Sequence, residues 1–153
     1  MGLDQHLYRT TYTLPSNTKR SYEISVKHPD EKYNMPKIDA SNIAYTMEEV
    51  MYWRKANHIH KWFVDNIQGG IDNCATYTVY SYDLEKLLNL CKQVLANPDK
   101  AEELLPTQSG CFFGVLEYNE YYFESIKNTI EVLEKIIPTV DDFNSWFEYS
   151  SSW

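Results

Sequence analysis

The sequence predicts an α+β domain, a small mixed or antiparallel sheet packed against a long central helix and two further helices. Three observations predict it. Strand-like and helix-like periodicities follow one another in the order β-β-α-β-α-β-α, and a helix-compatible run extends from about Met47 to Gln68. The chain also has 153 residues, 43% of them hydrophobic, enough to bury one core without disulfide or metal staples.

The segment Leu3 to Leu14, rich in Tyr, Thr and Leu, reads as a strand broken by Pro15-Ser16-Asn17-Thr18. Tyr22, Ile24 and Val26 then alternate with Glu23, Ser25 and Lys27, the period-2 pattern of a strand with one buried face. Together the two suggest an antiparallel pair. Residues 28–45, with Pro29 and Pro36, read as an irregular connection. Thr46-Met47-Glu48-Glu49 fits a capping box, in which the Thr46 hydroxyl accepts from the Glu49 amide and the Glu49 carboxylate reaches back. The helix it opens would end at Gly69-Gly70, where a left-handed cap suits glycine. At 1.5 Å per residue it would be about 33 Å long and cross the whole domain.

Thr76 to Tyr80 reads as another strand. Ser81 is placed to cap a helix with the apolar stripe Leu84, Leu87, Leu88, Cys91, Val94 and Leu95, ending at Asn97-Pro98. Residues 99–105 suit one short helical turn, and Pro106 to Gly110 a loop. Cys111 to Glu117 reads as an apolar strand, and Asn119 caps a last helix stopped by Pro138. Residues 1–138 therefore form the expected domain. Residues 139–153, with Asp141, Asp142, Phe143, Trp146, Phe147 and Trp153, read as an acidic aromatic tail.

Two totals bear on function. Aromatic residues reach 15%, including 13 Tyr and 4 Trp, and the formal net charge is −8. Tyrosine supplies rings suited to interfaces and stacking, although a half-wet sheet face uses them equally well. The acidic balance repels phosphate backbones, so direct duplex nucleic-acid binding is not expected. An acidic protein can still occupy a basic groove on another protein. Three Cys without a C-x-x-C pair point to a reducing compartment rather than a disulfide framework. No 18-residue apolar run marks a membrane span, and the first residues lack the basic and apolar regions of a signal peptide. Gly2 fits myristoylation only in part, because His6 stands where that signal wants Ser or Thr. The expected location is the cytoplasm.

Candidate site residues cluster in the expected helix. Its apolar arc holds Tyr52, Trp53, Ala56, Ile59, Phe63, Val64 and Ile67, with His60 inside the arc and Asn57 at its edge. Arg54, His58, Lys61 and Asp65 share the opposite face. His58 and His60 point about 200° apart on a helix, so they cannot grip one ion, and no metal site is expected. Asn57 and His60 could line a polar pocket; the commoner case is a core pair bonded to backbone or to each other. Arg54 and His58 could hold an anion or simply face solvent, while Lys61 and Asp65 make an ordinary i,i+4 pair.

On the first strand Asp4, His6 and Tyr8 project to one side, a weak acid–base arrangement without a nucleophile. Thr107, Gln108 and Ser109 offer polar groups ahead of an apolar segment, whether for a ligand or as a plain loop. Cys74 has no activating neighbour in sequence, so it reads as a small hydrophobe rather than a nucleophile. No phosphate-binding loop, dinucleotide fingerprint, G-x-S-x-G or H-E-x-x-H occurs. No catalytic residue and no cofactor are therefore assigned.

Gly2-Leu3-Asp4, then Tyr52-Trp53-Arg54-Lys55-Ala56-Asn57-His58-Ile59-His60-Lys61-Trp62-Phe63, then Leu104-Leu105-Pro106-Thr107-Gln108-Ser109-Gly110-Cys111-Phe112-Phe113-Gly114 resemble a group of small, largely uncharacterised bacteriophage and prophage proteins. His6 and Cys111 stand where aromatic residues are expected in that group. The resemblance carries no assigned activity. It implies a phage-type, non-enzymatic binding protein that interferes with a host process, antiviral defence foremost. Its partner would be either a host defence complex, covered at a basic groove, or a small signalling nucleotide. Capture of a nucleotide would use Arg54, Asn57, His58, His60 and the Thr107–Ser109 loop, with Asp4 alongside and Tyr or Trp stacking on the base. The alternative is a small hydrolase or transferase acting on a nucleotide, with His60 or His6 as base. The many aromatics also suit a homo-oligomer.

Overall fold

The computed structural model describes residues 2–13, 42–141 and 143–153. Within them the chain runs β1 (Asp4–Tyr12), β2 (Tyr45–Arg54), α1 (Asn57–Asn66), β3 (Tyr77–Val79), α2 (Ser81–Ala96), α3 (Ala101–Leu104), α4 (Glu120–Ile136) and β4 (Ser145–Ser152). The strands form one antiparallel sheet in the order β2-β1-β4-β3. An α+β architecture with an antiparallel sheet is what the periodicities predicted. The strand expected around Tyr22 to Val26 lies outside the described residues.

One face of the sheet is packed. Leu7 of β1, Met51 and Trp53 of β2, Val79 of β3 and Phe147 and Tyr149 of β4 are buried in a single core with the helices. α1 contributes Ile59 and Phe63, α2 contributes Leu84, Leu87, Cys91 and Val94, and α4 contributes Tyr122, Ile126 and Leu133. Phe63 stacks on Tyr149 with ring centroids 3.8 Å apart and planes 9° off parallel. Two polar groups inside this core find partners: the Trp53 indole donates to Thr129 Oγ1 at 2.8 Å, and the Tyr122 hydroxyl to the Leu105 carbonyl at 2.8 Å.

The 47–68 helix is not present as one rod. Its first half is β2, whose last residues alternate between buried Met51 and Trp53 and exposed Tyr52 and Arg54. Thr46 caps nothing and instead pairs across the sheet with Thr11. A run of Val, Met, Tyr and Trp packs well on a pleated surface when a neighbouring strand is at hand, and β1 supplies that neighbour. The chain changes direction at Lys55, which has φ 57 and donates its amide to the Leu3 carbonyl at 2.7 Å. The helix begins only at Asn57 and ends where expected, with the Gly70 amide donating to the Val64 carbonyl at 2.8 Å. The longest helix of the described residues is α4, capped as predicted by Asn119, whose side chain accepts from the Tyr122 amide at 3.3 Å.

Two further expectations are corrected. The acidic aromatic tail is an interior strand: β4 lies between β1 and β3, with Phe147 and Tyr149 fully buried. Its alternation Trp146/Phe147/Glu148/Tyr149 is the period of a strand, with Phe147 and Tyr149 buried and Trp146 and Glu148 half-buried on the other side. Residues 111–117 are not a strand. Phe112 and Gly114 both take positive φ, 61 and 99, which breaks any pleat. The carbonyls of this segment are claimed individually. Leu3 N–H takes Phe112, the Asn57 amide takes Phe113 and Val115, and the Thr107 hydroxyl takes Leu116.

Candidate functional site

A cleft of about 330 Å³ opens where the end of β2, the first turn of α1, the 114–117 loop and the start of α4 meet. That is the lower end of the range for small-molecule sites. β2 brings Arg54 to its rim, and the left-handed turn at Lys55 lays that side chain alongside Gly114 and Gly2. Gly114 is required there: a Cβ at φ 99 would stand 3.0 Å from Lys55 Cβ and 3.2 Å from the Lys55 carbonyl oxygen. α1 starts at the cleft without a side-chain cap and without an acidic residue in its first turn. Ala56, Asn57 and His58 of that first turn line the cleft, so the positive end of the helix dipole lies beside it. Arg54 keeps a long contact with Asp4, Nη1 to Oδ1 3.7 Å, and Lys55 makes no ion pair among the described residues.

The opposite wall belongs to α4. Tyr121 is 76% exposed, and Tyr122 is buried with its ring 4.3 Å from the His58 ring. Ser125 Oγ lies 2.7 Å from His58 Nε2 and 2.9 Å from the Tyr122 carbonyl. One hydroxyl proton serves both contacts if Ser125 donates to Tyr122 and His58 donates from Nε2 to Ser125, which fixes the imidazole as the Nε2–H tautomer. Burial holds the His58 pKa down at about 3. Glu117 lines the same cleft from the loop.

The site residues named from sequence thus divide into two groups. Arg54, Asn57 and His58 come together at the cleft, with Asp4 behind Arg54, where it also accepts from the Tyr52 hydroxyl. His58 was expected on a solvated face and is instead buried under α4. Asn57 reaches the cleft edge, but its amide is spent on the Phe113 and Val115 carbonyls and its oxygen on the Gln108 amide. It holds the loop in place.

His60 belongs elsewhere. Fully buried, it lies 2.8 Å from the Tyr149 hydroxyl through Nδ1 and 2.9 Å from Asp72 Oδ1 through Nε2. Burial lowers its pKa, and the Asp72 carboxylate works against that shift. In the neutral form Nε2–H donates to Asp72 and Nδ1 accepts from Tyr149. Asp72 Oδ2 accepts from the Gln108 side chain at 3.0 Å, so the network ties α1, β4 and two loops together. Phe113 and Trp153 close over the ring, with centroids at 5.3 Å and 5.6 Å. Thr107 is occupied with Tyr118 and Leu116, and Ser109 is exposed beyond this network. As the sequence predicted, His58 and His60 diverge.

His6 pairs with Glu49 rather than with Asp4, Nδ1 to Oε2 2.9 Å, and its ring stacks on Tyr8 at 5.8 Å. Sequence reasoning missed Tyr121, Tyr122 and Ser125, brought in by α4, and Glu117, brought in by the loop before it. Only the i,i+3 spacing of Tyr122 and Ser125 after the Asn119 cap hinted that they share a face. Comparison with family models, curated proteins and solved structures finds no match. No helix among the described residues is long and apolar enough to cross a membrane.

Proposed function

We propose that this chain is a non-enzymatic binding protein that captures a small anionic ligand, a nucleotide, in the cleft at the start of α1, and thereby interferes with a host process, antiviral defence foremost. One observation carries the reading: Arg54, Lys55 and the uncapped first turn of α1 converge on a cleft whose far wall is Tyr121 and Tyr122. The first three favour a phosphate, and an exposed Tyr ring favours a base. The phage context comes from the resemblance, whose two most specific segments supply this cleft's floor, from Arg54 to His58, and the loop ending at Gly114.

The same geometry favours binding over the hydrolase or transferase alternative. A general base works best with a pKa near the operating pH. His58 is held near 3, and among the described residues no carboxylate is hydrogen-bonded to His58 or Ser125. Both nitrogens of His60 are engaged. His6 lies on the open sheet face with Tyr52 and Tyr8.

A second reading, occupation of a basic groove on a host defence complex, draws on that open face, where Tyr45, Met47 and Tyr52 are 54%, 62% and 43% exposed beside Glu49 and Glu148. The two readings separate by pull-down from host lysate followed by mass spectrometry of small molecules and proteins. Nucleotide released from the wild-type chain and absent from Arg54→Ala supports capture. Arg54→Ala should weaken nucleotide binding about 10- to 100-fold, the usual worth of a charged hydrogen bond. A nuclease complex retained equally by both chains, with no nucleotide, contradicts capture and supports the groove.

A further inference from the structure

We propose that His60 is an acid-operated switch: on taking up a proton at Nδ1 it turns the Tyr149 hydroxyl away from itself and onto Gln5. Counting donors and acceptors leads there. Asp72 Oδ1 lies 2.9 Å from His60 Nε2, and a carboxylate only accepts, so Nε2 carries a hydrogen. The neutral ring then has a bare Nδ1, which takes the Tyr149 hydroxyl proton across 2.8 Å. That hydroxyl has a second acceptor, Gln5 Oε1 at 3.3 Å, and only one proton to give. The Gln5 amide is held this way round, because its Nε2 donates to the Ala56 carbonyl at 3.3 Å. In the neutral state the fully buried Gln5 Oε1 is therefore short of a donor, and no other reaches it among the described residues.

One added proton completes the set. Nδ1–H donates to the Tyr149 oxygen, the Tyr149 proton goes to Gln5 Oε1, and Nε2–H pairs with Asp72 from a charged ring. Solvent supplies the proton, and the His60–Asp72 pair goes from one negative charge to none. The titratable groups that face the ring are Asp72, from the loop after α1, and Tyr149, from β4. Burial pushes the Tyr149 pKa well above 10, so it stays a hydroxyl throughout. Phe113 and Trp153 present uncharged rings; on α1 itself, His58 is bonded to Ser125 and Lys61 pairs with Asp65. Burial lowers the His60 pKa while Asp72 works to raise it, which puts the turn in acid solution, below pH 6.5. The switch reaches the cleft. A hydroxyl on Gln5 Oε1 polarises that amide and strengthens its bond to Ala56, which lines the cleft at the start of α1.

The test is nitrogen-15 NMR of the imidazoles in the full chain as the pH is lowered, repeated on Asp72→Asn and Gln5→Met. At neutral pH His60 should carry a hydrogen on Nε2 alone, and in acid gain a second on Nδ1 while the amide spectrum stays that of the folded chain. His58, held at about 3, should not change in step with it. Asp72→Asn should lower the His60 midpoint by about one pH unit, a tenfold loss of proton affinity. Gln5→Met should lower it too, because the turned hydroxyl loses its acceptor and the neutral state sheds its unmet one; a plain His60–Asp72 pair would not respond to that change. A His60 ring that stays neutral until the chain unfolds overturns the switch, and so does a midpoint unmoved in Gln5→Met. Should Gln5→Met not fold, the other two chains decide: Nδ1 must gain its proton in the folded wild type, and an unmoved midpoint in Asp72→Asn overturns the switch.

Discussion

Lowering the pH should cost stability in a way that traces to one side chain. His58 has its pKa lowered from 6.5 to about 3 by burial beneath α4. The folded chain therefore keeps it neutral at pH 5, while the unfolded chain, with an ordinary imidazole, takes up a proton below pH 6.5. Stability tied to this group is complete above the unfolded value and is lost as pH falls towards the folded one. Between pH 7 and pH 5 the loss works out at about 2 kcal/mol. At a urea slope of about 2 kcal/mol per molar, that moves the unfolding midpoint down by about 1 M. His60 is shifted in the same direction and contributes its own share. The His58→Gln variant isolates the His58 part: it should be less stable at both pH values, yet lose less between them. Equal losses in wild type and variant would refute the reasoning, as would an imidazole NMR signal for His58 that titrates near pH 6.5.

Other consequences are as direct. Gly114→Ala should destabilise by about 1–3 kcal/mol, because a left-handed residue gains a Cβ pressed on Lys55, whereas Gly69→Ala, with φ 64 but open space around it, should cost about 1 kcal/mol; thermal melts compare the two. Truncation after Asn144 removes a strand with partners on both sides and should abolish the cooperative transition seen by circular dichroism, where loss of a mere tail would leave it intact. Tyr149→Phe keeps the stack on Phe63 but strips the hydroxyl from His60 Nδ1, and should cost about 1–3 kcal/mol by urea titration. Of the three thiols, Cys74 and Cys111 are exposed and should alkylate in the native state, while Cys91, buried with its pKa pushed up to about 12, should react only after unfolding.

What the sequence disclosed depended on how local each signal was. α2 and α4 carry one-sided stripes and recognisable ends, so their positions followed from spacing alone. β2 did not, because Tyr45–Arg54 fits both elements: Thr46 and Glu49 mimic a capping box and Tyr52 and Trp53 fall in a helix arc, while Met51 and Trp53 fit an inward strand face. Only the non-local pairing with β1 decides between them. The break at Lys55 carries no sequence mark, since a positive φ at lysine is imposed by its surroundings, here the Leu3 carbonyl and Gly114. β4 was hidden because Glu148 and four serines dilute its alternation, and only pairing with β1 and β3 makes it a strand. Arg54, Asn57 and His58 could be found as neighbours in sequence, and they meet at the cleft even though Arg54 lies on a strand. The α4 wall lies more than sixty residues further on, and nothing local joined it to them.

Capture as proposed places an anion on the first turn of α1, and backbone amide NMR reads that contact when a nucleoside monophosphate is titrated into the labelled chain. The expected result is a saturable shift of the Lys55, Asn57, His58 and Ile59 amides, with Lys61 to Asn66 and the open sheet face unmoved. Saturable shifts confined to Tyr45, Tyr52 and their neighbours, with that first turn silent, would contradict it.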